Sequence, residues 1–555
     1  MPTPRERSTE PGEPAAAAAA SDPGGPAFLD RWFIPIALGI LFVAAALRLP
    51  ELALNPFHHD EGVNGFFTTN LVRDGVYTYD PQNYHGPSLY YLAFLSEILF
   101  GLTTEAMRLV PVVFGILLVA LVFPLRRYLG SLAVLVAGGL LATSPGAVYV
   151  SRYFIHETLL VAFTLALVVA VTLYLDRRSP RYLLAAAVAA AFLFTTKETA
   201  VITVAVLLIA VMIGHYYTAW RNPAAMPRRA TARPAARARS VWIEGVEYRP
   251  ARGERVAADS SASPSPGSIP GEQLAGAFVV FLVIYLLLFS SFFTNFPRGL
   301  VDSLTAYVYW FQHGDATQVQ PIYQYLQWLI PIGAPNLIPV ETPILVLGVI
   351  GGVIAAIRAP SRLWVVIALW AAGITAAYSI IQYKTPWIIL NMLLPLALLA
   401  GLAVSYLWRS RPLRVGLPVV LAVAVLLNGY QAIDLNFNRY DDQAYSYVYV
   451  HSTRDMLSMV DEIEATATRA GTGRDTGIVF VTPDYWPLPW YFRDYPKAGF
   501  FGQIVDTQEA MIVANVNQEA DLAPKVAGKY DRVGQFNLRP GVDLALYVRT
   551  DIPKE

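Results

Sequence analysis

Long uncharged apolar runs constrain this chain more than any other feature. They lie at about 32–49, 108–125, 131–150, 158–175, 181–196, 199–219, 274–294, 337–357, 363–382, 386–408 and 414–430. Each is of spanning or near-spanning length, so the chain reads as an α-helical polytopic membrane protein with about eleven transmembrane helices. The charge deficit agrees: 15% of the 555 residues are charged, against roughly a quarter in soluble domains. The run at 181–196 is the shortest and needs Arg181 and Lys197 to snorkel. The stretch 88–101, SLYYLAFLSEILFG, is shorter still, carries Glu97, and fits an interfacial helix better than a span.

Lys and Arg in the connections set the orientation. One set holds Arg126-Arg127, Arg177-Arg178, the Arg-rich 221–255, Arg358/Arg362 and Arg409/Arg411/Arg414; the other, at 50–107, 151–157, 195–198, 295–336 and 383–386, holds only isolated basic residues. The first set is read as cytoplasmic, with the N-terminus inside and the segment after 430 outside a plasma membrane. Residues 1–30, rich in Ala, Pro, Gly and Ser, read as a disordered tail, and the first apolar run as a signal anchor. The cytoplasmic segment 220–272 reads as a disordered linker within the membrane module 31–430. From 431 to 555 the composition becomes that of a soluble domain. A helix pattern at 451–470 and strand patterns at 477–483 and 542–549 predict a small extracytoplasmic α/β domain. Net charge is zero, so nucleic acid is not suggested as a partner. The absence of cysteine excludes disulfides, thiolate-bound zinc and thiol catalysis.

Chemistry concentrates in the first non-cytoplasmic loop, Pro56 to Pro87, PFHHDEGVNGFFTTNLVRDGVYTYDPQNYHGP. Ionisable groups beside lipid are costly and usually have a task. Asp60 and Glu61 diverge by about 100° on a helix, so one can serve as general base while the other braces the loop. The plainer alternative makes Asp60 the cap of a helix from Glu61 to Arg73. His58, His59, Tyr84 and His85 complete the loop's candidates for substrate binding. A divalent metal on His58, His59 and Asp60 is the other option, disfavoured because adjacent side chains rarely converge on one ion. Further candidates sit at the same ends of later spans: Arg152, His156 and Glu157 in SRYFIHE, Lys197 and Glu198 in TTKE, Lys384 and Trp387 in YKTPW. Alone, each reads as an interfacial anchor. Together the cations suit a leaving phosphate, and a carboxylate suits the proton of an attacking hydroxyl.

An acidic pair in the first outer loop, short amphipathic helices after it and about eleven spans resemble the GT-C superfamily of glycosyltransferases. That superfamily includes the protein O-mannosyltransferases and the aminoarabinose transferase of lipid A. The strings FHHDEGVNGF…HGP, SRYFIHE, YKTPW and WPLPWYFRD most resemble a narrower group, the flippase-activity-associated proteins of archaeal and bacterial N-glycosylation, over most of 32–555. The resemblance implies a polyprenyl-phosphate-linked sugar donor, inverting transfer on the outer face to a glycan, lipid or protein hydroxyl, Asp60 as general base, Glu61 in support, and phosphate contacts by Arg152 and Lys384. Glu157, preceded by His156, stands where mannosyltransferases carry a differently spaced Asp.

Two other readings compete. A flippase accessory or lipid-glycan transporter should show repeats and mid-membrane polar groups, whereas the ionisable residues here cluster at one face. An oligosaccharyltransferase would want an Asp-x-Asp in an outer loop, which the loops lack. In PDYWPLPWYFRD, Tyr485, Trp486, Trp490 and Tyr491 offer either sugar stacking or packing, and His313 and Asp315 are weaker cavity candidates.

Overall fold

The computed structural model describes residues 26–83, 85–221, 241–243, 246–248, 269–312, 319–330 and 341–553. Most of the N-terminal tail and of the 220–272 linker, together with Tyr84, His313 and Asp315, lies outside the described residues. The one described piece of the linker is an antiparallel pair, β1 (Val241–Ile243) and β2 (Val246–Tyr248).

Every apolar run carries helix. Among the described residues seven helices are long and apolar enough to cross a membrane, the first Thr104–Leu129 and the last Arg411–Asn438. An eighth arises if Ser131–Thr143 and Pro145–Ser151, bent by 61°, count as one. Sequence causes that bend: Ser144 caps the second piece by accepting from the Ala147 N–H, and Pro145 occupies its first position. Three expected spans form shorter apolar helices, Phe33–Ala46, Pro180–Phe194 and Thr342–Arg358. Their 14, 15 and 17 residues fall short of the roughly 20 that cross a bilayer upright. The expected interfacial segment is the helix Ser88–Phe100.

The helix within Pro386–Leu407 is enclosed almost throughout and forms the centre of the bundle. The Lys/Arg-rich connections meet at one end, where Arg126 pairs with Asp30 at 2.8 Å and Arg127 lies 3.5 Å from Asp176. The poorly basic connections meet at the other.

Beyond Arg411–Ile433 and a π-turn at Asp434–Asn438 the chain enters the small domain. The expected 451–470 helix is Arg454–Arg469. Five strands follow: β3 (Ile478–Phe480), β4 (Ala498–Phe500), β5 (Met511–Asn515), β6 (Tyr530–Arg539) and β7 (Val542–Arg549). Their order is β4-β3-β5-β7-β6, with β3 parallel to β4 and β5 and β7 antiparallel to β5 and β6. Met456, Met459 and Ile463 close one face of the sheet over Phe480, Leu544 and Leu546.

This domain is seated directly on the helix His59–Asp74. A Cβ at Gly62 would lie 2.5 Å from Pro487, and one at Gly65 2.7 Å from the Trp490 ring, so only glycine permits the approach. Trp490 is 2% exposed and stacks on Phe57 at 4.7 Å, while the Tyr491 hydroxyl accepts from the Phe57 N–H. Trp490 therefore packs the joint. Gly65→Val is expected to cost about 1–3 kcal/mol through overpacking and to loosen the seat. Limited proteolysis should then cut the 439–453 connection faster than in wild type, and an unchanged digestion rate would refute it.

Candidate active site

The helix His59–Asp74 begins with a capping box built from three of the four candidates in His58–Glu61. The His58 Nδ1 accepts from the Asp60 N–H at 3.1 Å, and the Glu61 carboxylate accepts from the His58 N–H at 3.0 Å. His58, not Asp60, is thus the cap, which releases the Asp60 carboxylate from that task.

Glu61 is fully buried and saturated. It accepts from Arg108 Nε at 2.7 Å and Nη at 2.6 Å, and from the Phe154 N–H at 2.8 Å. Arg108 spends its other donors on the carbonyls of Leu52, Asn55 and Pro56. The pair bolts together the 52–61 segment, the Thr104–Leu129 helix and the 152–156 turn. Asp60, by contrast, is half-buried in the wall of a cavity of about 370 Å³. Among the described residues no hydrogen bond or ion pair reaches its carboxylate.

The cavity draws on four of the five poorly basic connections, 50–107, 151–157, 195–198 and 383–386, with no described residue of 295–336 in its lining. Asn64 lines it, fixed by the Phe154 carbonyl and the Tyr90 hydroxyl, which also receives a bond from Asn83. The HGP segment is strapped to the TTKE turn: Gly86 N–H donates to Thr196, and Ser88 N–H to Thr195. A Cβ on Gly86 would come 2.1 Å from the Thr195 carbonyl oxygen, so no other residue fits. That strap brings His85 to Glu198 at 2.9 Å and its ring to within 4.7 Å of His156. Lys197 binds Glu157 at 2.5 Å. Tyr383, Trp387 and Tyr449 close the far side. The small domain contributes Arg539, at the β6–β7 turn, held by Asp484 at 2.6 Å and by the Trp486 carbonyl.

Electrostatics sort these groups by role. Burial alone would neutralise Lys197, but Glu157 and Glu198 outweigh it and raise its pKa. Burial likewise raises Glu198, yet His85 and Lys197 hold it below the ordinary carboxylate value. Burial drives His58 and His156 well below the usual imidazole pKa, and His451, 4.9 Å from His58, down to about 3. These three rings are neutral hydrogen-bonding groups at pH 7. The sign follows from linkage: each folded pKa is depressed, so its stability is complete above the unfolded value near 6.5 and is lost as pH falls below it. With three such rings the loss approaches about 4 kcal/mol per pH unit. The melting temperature of purified protein should drop between pH 7 and 5, and His156→Gln should shallow the drop. A flat profile would count against neutral burial.

Glu61 and Glu198 stand behind the cavity wall, and two candidate cations stand away from it. Arg152 donates to the carbonyls of Arg48, Pro50 and Glu51 and stacks over Phe437 at 4.5 Å. Lys384 is buried, its ammonium on the carbonyls of Gln320 and Ile381. Both cations serve the backbone in this arrangement, because loop carbonyls with no helix partner must be satisfied near lipid. Arg108 and Arg539 were not among the candidates. An arginine at the mouth of an apolar run signals Arg108. Nothing local distinguishes Arg539, since a basic residue in LRPGVD is ordinary in a turn. Among the described residues no three His, Asp or Glu side chains gather as a metal site.

Residues 84–227 match the family model for dolichyl-phosphate-mannose-protein mannosyltransferases. No curated protein matches the chain by sequence. The structure of ArnT from Cupriavidus metallidurans bound to undecaprenyl phosphate superposes with a TM-score of 0.60 at 14% identity, covering 94% of this chain and 98% of that one. The Archaeoglobus fulgidus oligosaccharyltransferase AglB, in complex with an inhibitory peptide and a dolichol-phosphate, gives 0.52 at 14% identity over 96% of this chain and 76% of that one. The chain has the fold of the GT-C glycosyltransferases.

Proposed function

We propose that this GT-C-fold protein is a polyprenyl-phosphate-sugar-dependent glycosyltransferase, transferring a sugar to a hydroxyl on the non-cytoplasmic face of the plasma membrane. One observation carries the reading: Asp60 is a carboxylate in a cavity wall that no hydrogen bond or ion pair reaches among the described residues, on a helix whose first turn is bolted down by its neighbour. A general base needs that combination of freedom to accept a proton and fixed position. The other carboxylate in the described lining, Glu157, is bound to Lys197. A single free carboxylate suits one displacement, and hence inversion.

In the step, the acceptor oxygen forms a bond to the anomeric carbon as its O–H bond breaks, and the proton passes to Asp60. The bond from the anomeric carbon to the phosphate oxygen breaks with its electron pair, releasing polyprenyl phosphate. Lys197 and Arg539 are the cations at the cavity, each tethered by a carboxylate yet retaining further N–H donors for that phosphate. Neutral His59 and His156 and the amides Asn64 and Asn83 are placed for sugar hydroxyls, while both ring nitrogens of His58 are taken by the Asp60 N–H and the Tyr449 carbonyl. The ligands of the superposed proteins, undecaprenyl phosphate in ArnT and dolichol phosphate in AglB, support the choice of donor class.

The test is release or transfer of labelled sugar from a panel of polyprenyl-phosphate sugars by purified protein. Turnover of one donor, lost in Asp60→Asn, is the expected result. No turnover, with lipid-linked glycan still carried across proteoliposomes, would establish the non-enzymatic transport reading instead.

A further inference from the structure

Beside the Asp60 cavity lies a larger groove, of about 700 Å³, between the helix His59–Asp74 and the small domain. Helical periodicity joins the two. His59, Phe66 and Arg73 are spaced by seven residues and share one stripe of the helix. His59 borders the cavity, and Phe66 and Arg73 border the groove. Trp486 spans the junction, its ring 6.3 Å from His59 and 5.9 Å from Phe66. From Asp60 to Arg73 the helix rises about 20 Å.

We propose that this groove is the acceptor site and that its occupant is a carbohydrate chain, presenting its terminal hydroxyl to Asp60. The proposal rests on the transferase reading and names the acceptor for it. Three observations select a saccharide. Aromatic faces are offered to the groove rather than packed away: Phe66 is 42% exposed, and Tyr485 and Trp486 are half-buried. Ring faces carry negative potential and attract the C–H face of a pyranose. The same lining holds polar groups suited to hydroxyls, the Asn70 amide and the Arg73 guanidinium, the latter also reaching the Arg493 carbonyl and Asp494. Finally, Thr69 lines the groove at 3% exposure with its hydroxyl unpartnered, a buried polar atom that a ligand hydroxyl would satisfy. A lipid tail would leave these polar groups unmatched. A peptide adding to the sheet from this groove would meet the three-residue edge strand β4, which supplies Ala498 and Phe500 to the lining and is short for strand pairing.

The groove is also mechanically tied to the cavity. Arg539 donates to the Trp486 carbonyl while lining the Asp60 cavity, so a saccharide seated on Trp486 bears on a residue that would meet the donor phosphate.

The experiment uses full-length protein in nanodiscs, carrying Asp60→Asn to suppress turnover, on an array of short linear neutral, N-acetylated and acidic oligosaccharides. Binding to one class is expected, weakened at least tenfold by Phe66→Ala and, with no ring removed, by Asn70→Ala. Near-silent variants, or displacement by peptides but not by free oligosaccharide, would overturn the proposal. Thermal melting of each variant separates lost binding from lost folding. Donor release by wild-type protein is read independently. Oligosaccharide binding without donor turnover would sink the transferase reading alone, and turnover without binding would sink the groove alone.

Discussion

Asp60→Asn is expected to lower sugar transfer by about 10²–10⁴-fold, the usual contribution of a positioned general base, while leaving the fold intact. The isosteric amide keeps the first turn of the helix unchanged, because the capping box uses the Asp60 N–H and not its side chain. With no partner among the described residues to lose, the variant should melt within about 1 kcal/mol of wild type. The fall should appear in kcat, with KM for the donor little altered, as for an interaction made only in the transition state. Stopped or radiometric assays of donor turnover read it, and full activity in the variant would remove Asp60 from the mechanism.

The second large effect concerns stability. Arg108→Leu leaves the Glu61 carboxylate buried without its two strongest donors, and Glu61→Leu leaves a buried guanidinium unpaired. Each is expected to cost about 3–5 kcal/mol, and with it the position of Asp60. The double variant removes both charges, so its cost should fall well below the sum, giving a coupling of up to about 3 kcal/mol. Denaturant titration of the purified protein measures all three. Additive single costs would mean that the pair is not the bolt that joins these elements.

Much of this architecture is readable from the sequence, for definite reasons. Apolar length marks helices that must face lipid, and the poverty of Lys and Arg marks the loops that gather around the cavity. Asp60, His85, His156, Glu157, Lys197 and Trp387 come from four loops, and each is conspicuous because a polar residue at the edge of an apolar run is expensive. Side-chain direction is not readable in that way. Arg152 and Lys384 look like phosphate ligands in a string of letters, but carbonyls from Arg48 to Glu51 and at Gln320 and Ile381 claim them. Arg539 reaches the site through the pairing of β6 with β7 and the seating of the small domain on Gly62 and Gly65, contacts with Pro487 and Trp490 that span more than four hundred residues of sequence and that no local pattern encodes. Span length is misread where a proline or a short polar turn ends the helix earlier than the hydropathy does, as at Pro180–Phe194.

The place of Arg539 in the chain has a consequence for biogenesis. Its side chain completes the cavity wall, yet it lies in the final hairpin of the small domain, after every membrane helix. A chain whose β6–β7 hairpin has not yet folded therefore holds Asp60 in an unfinished pocket. Assembly order itself then acts as a safety catch: the cavity closes only once the helices are packed and the small domain has folded down upon them.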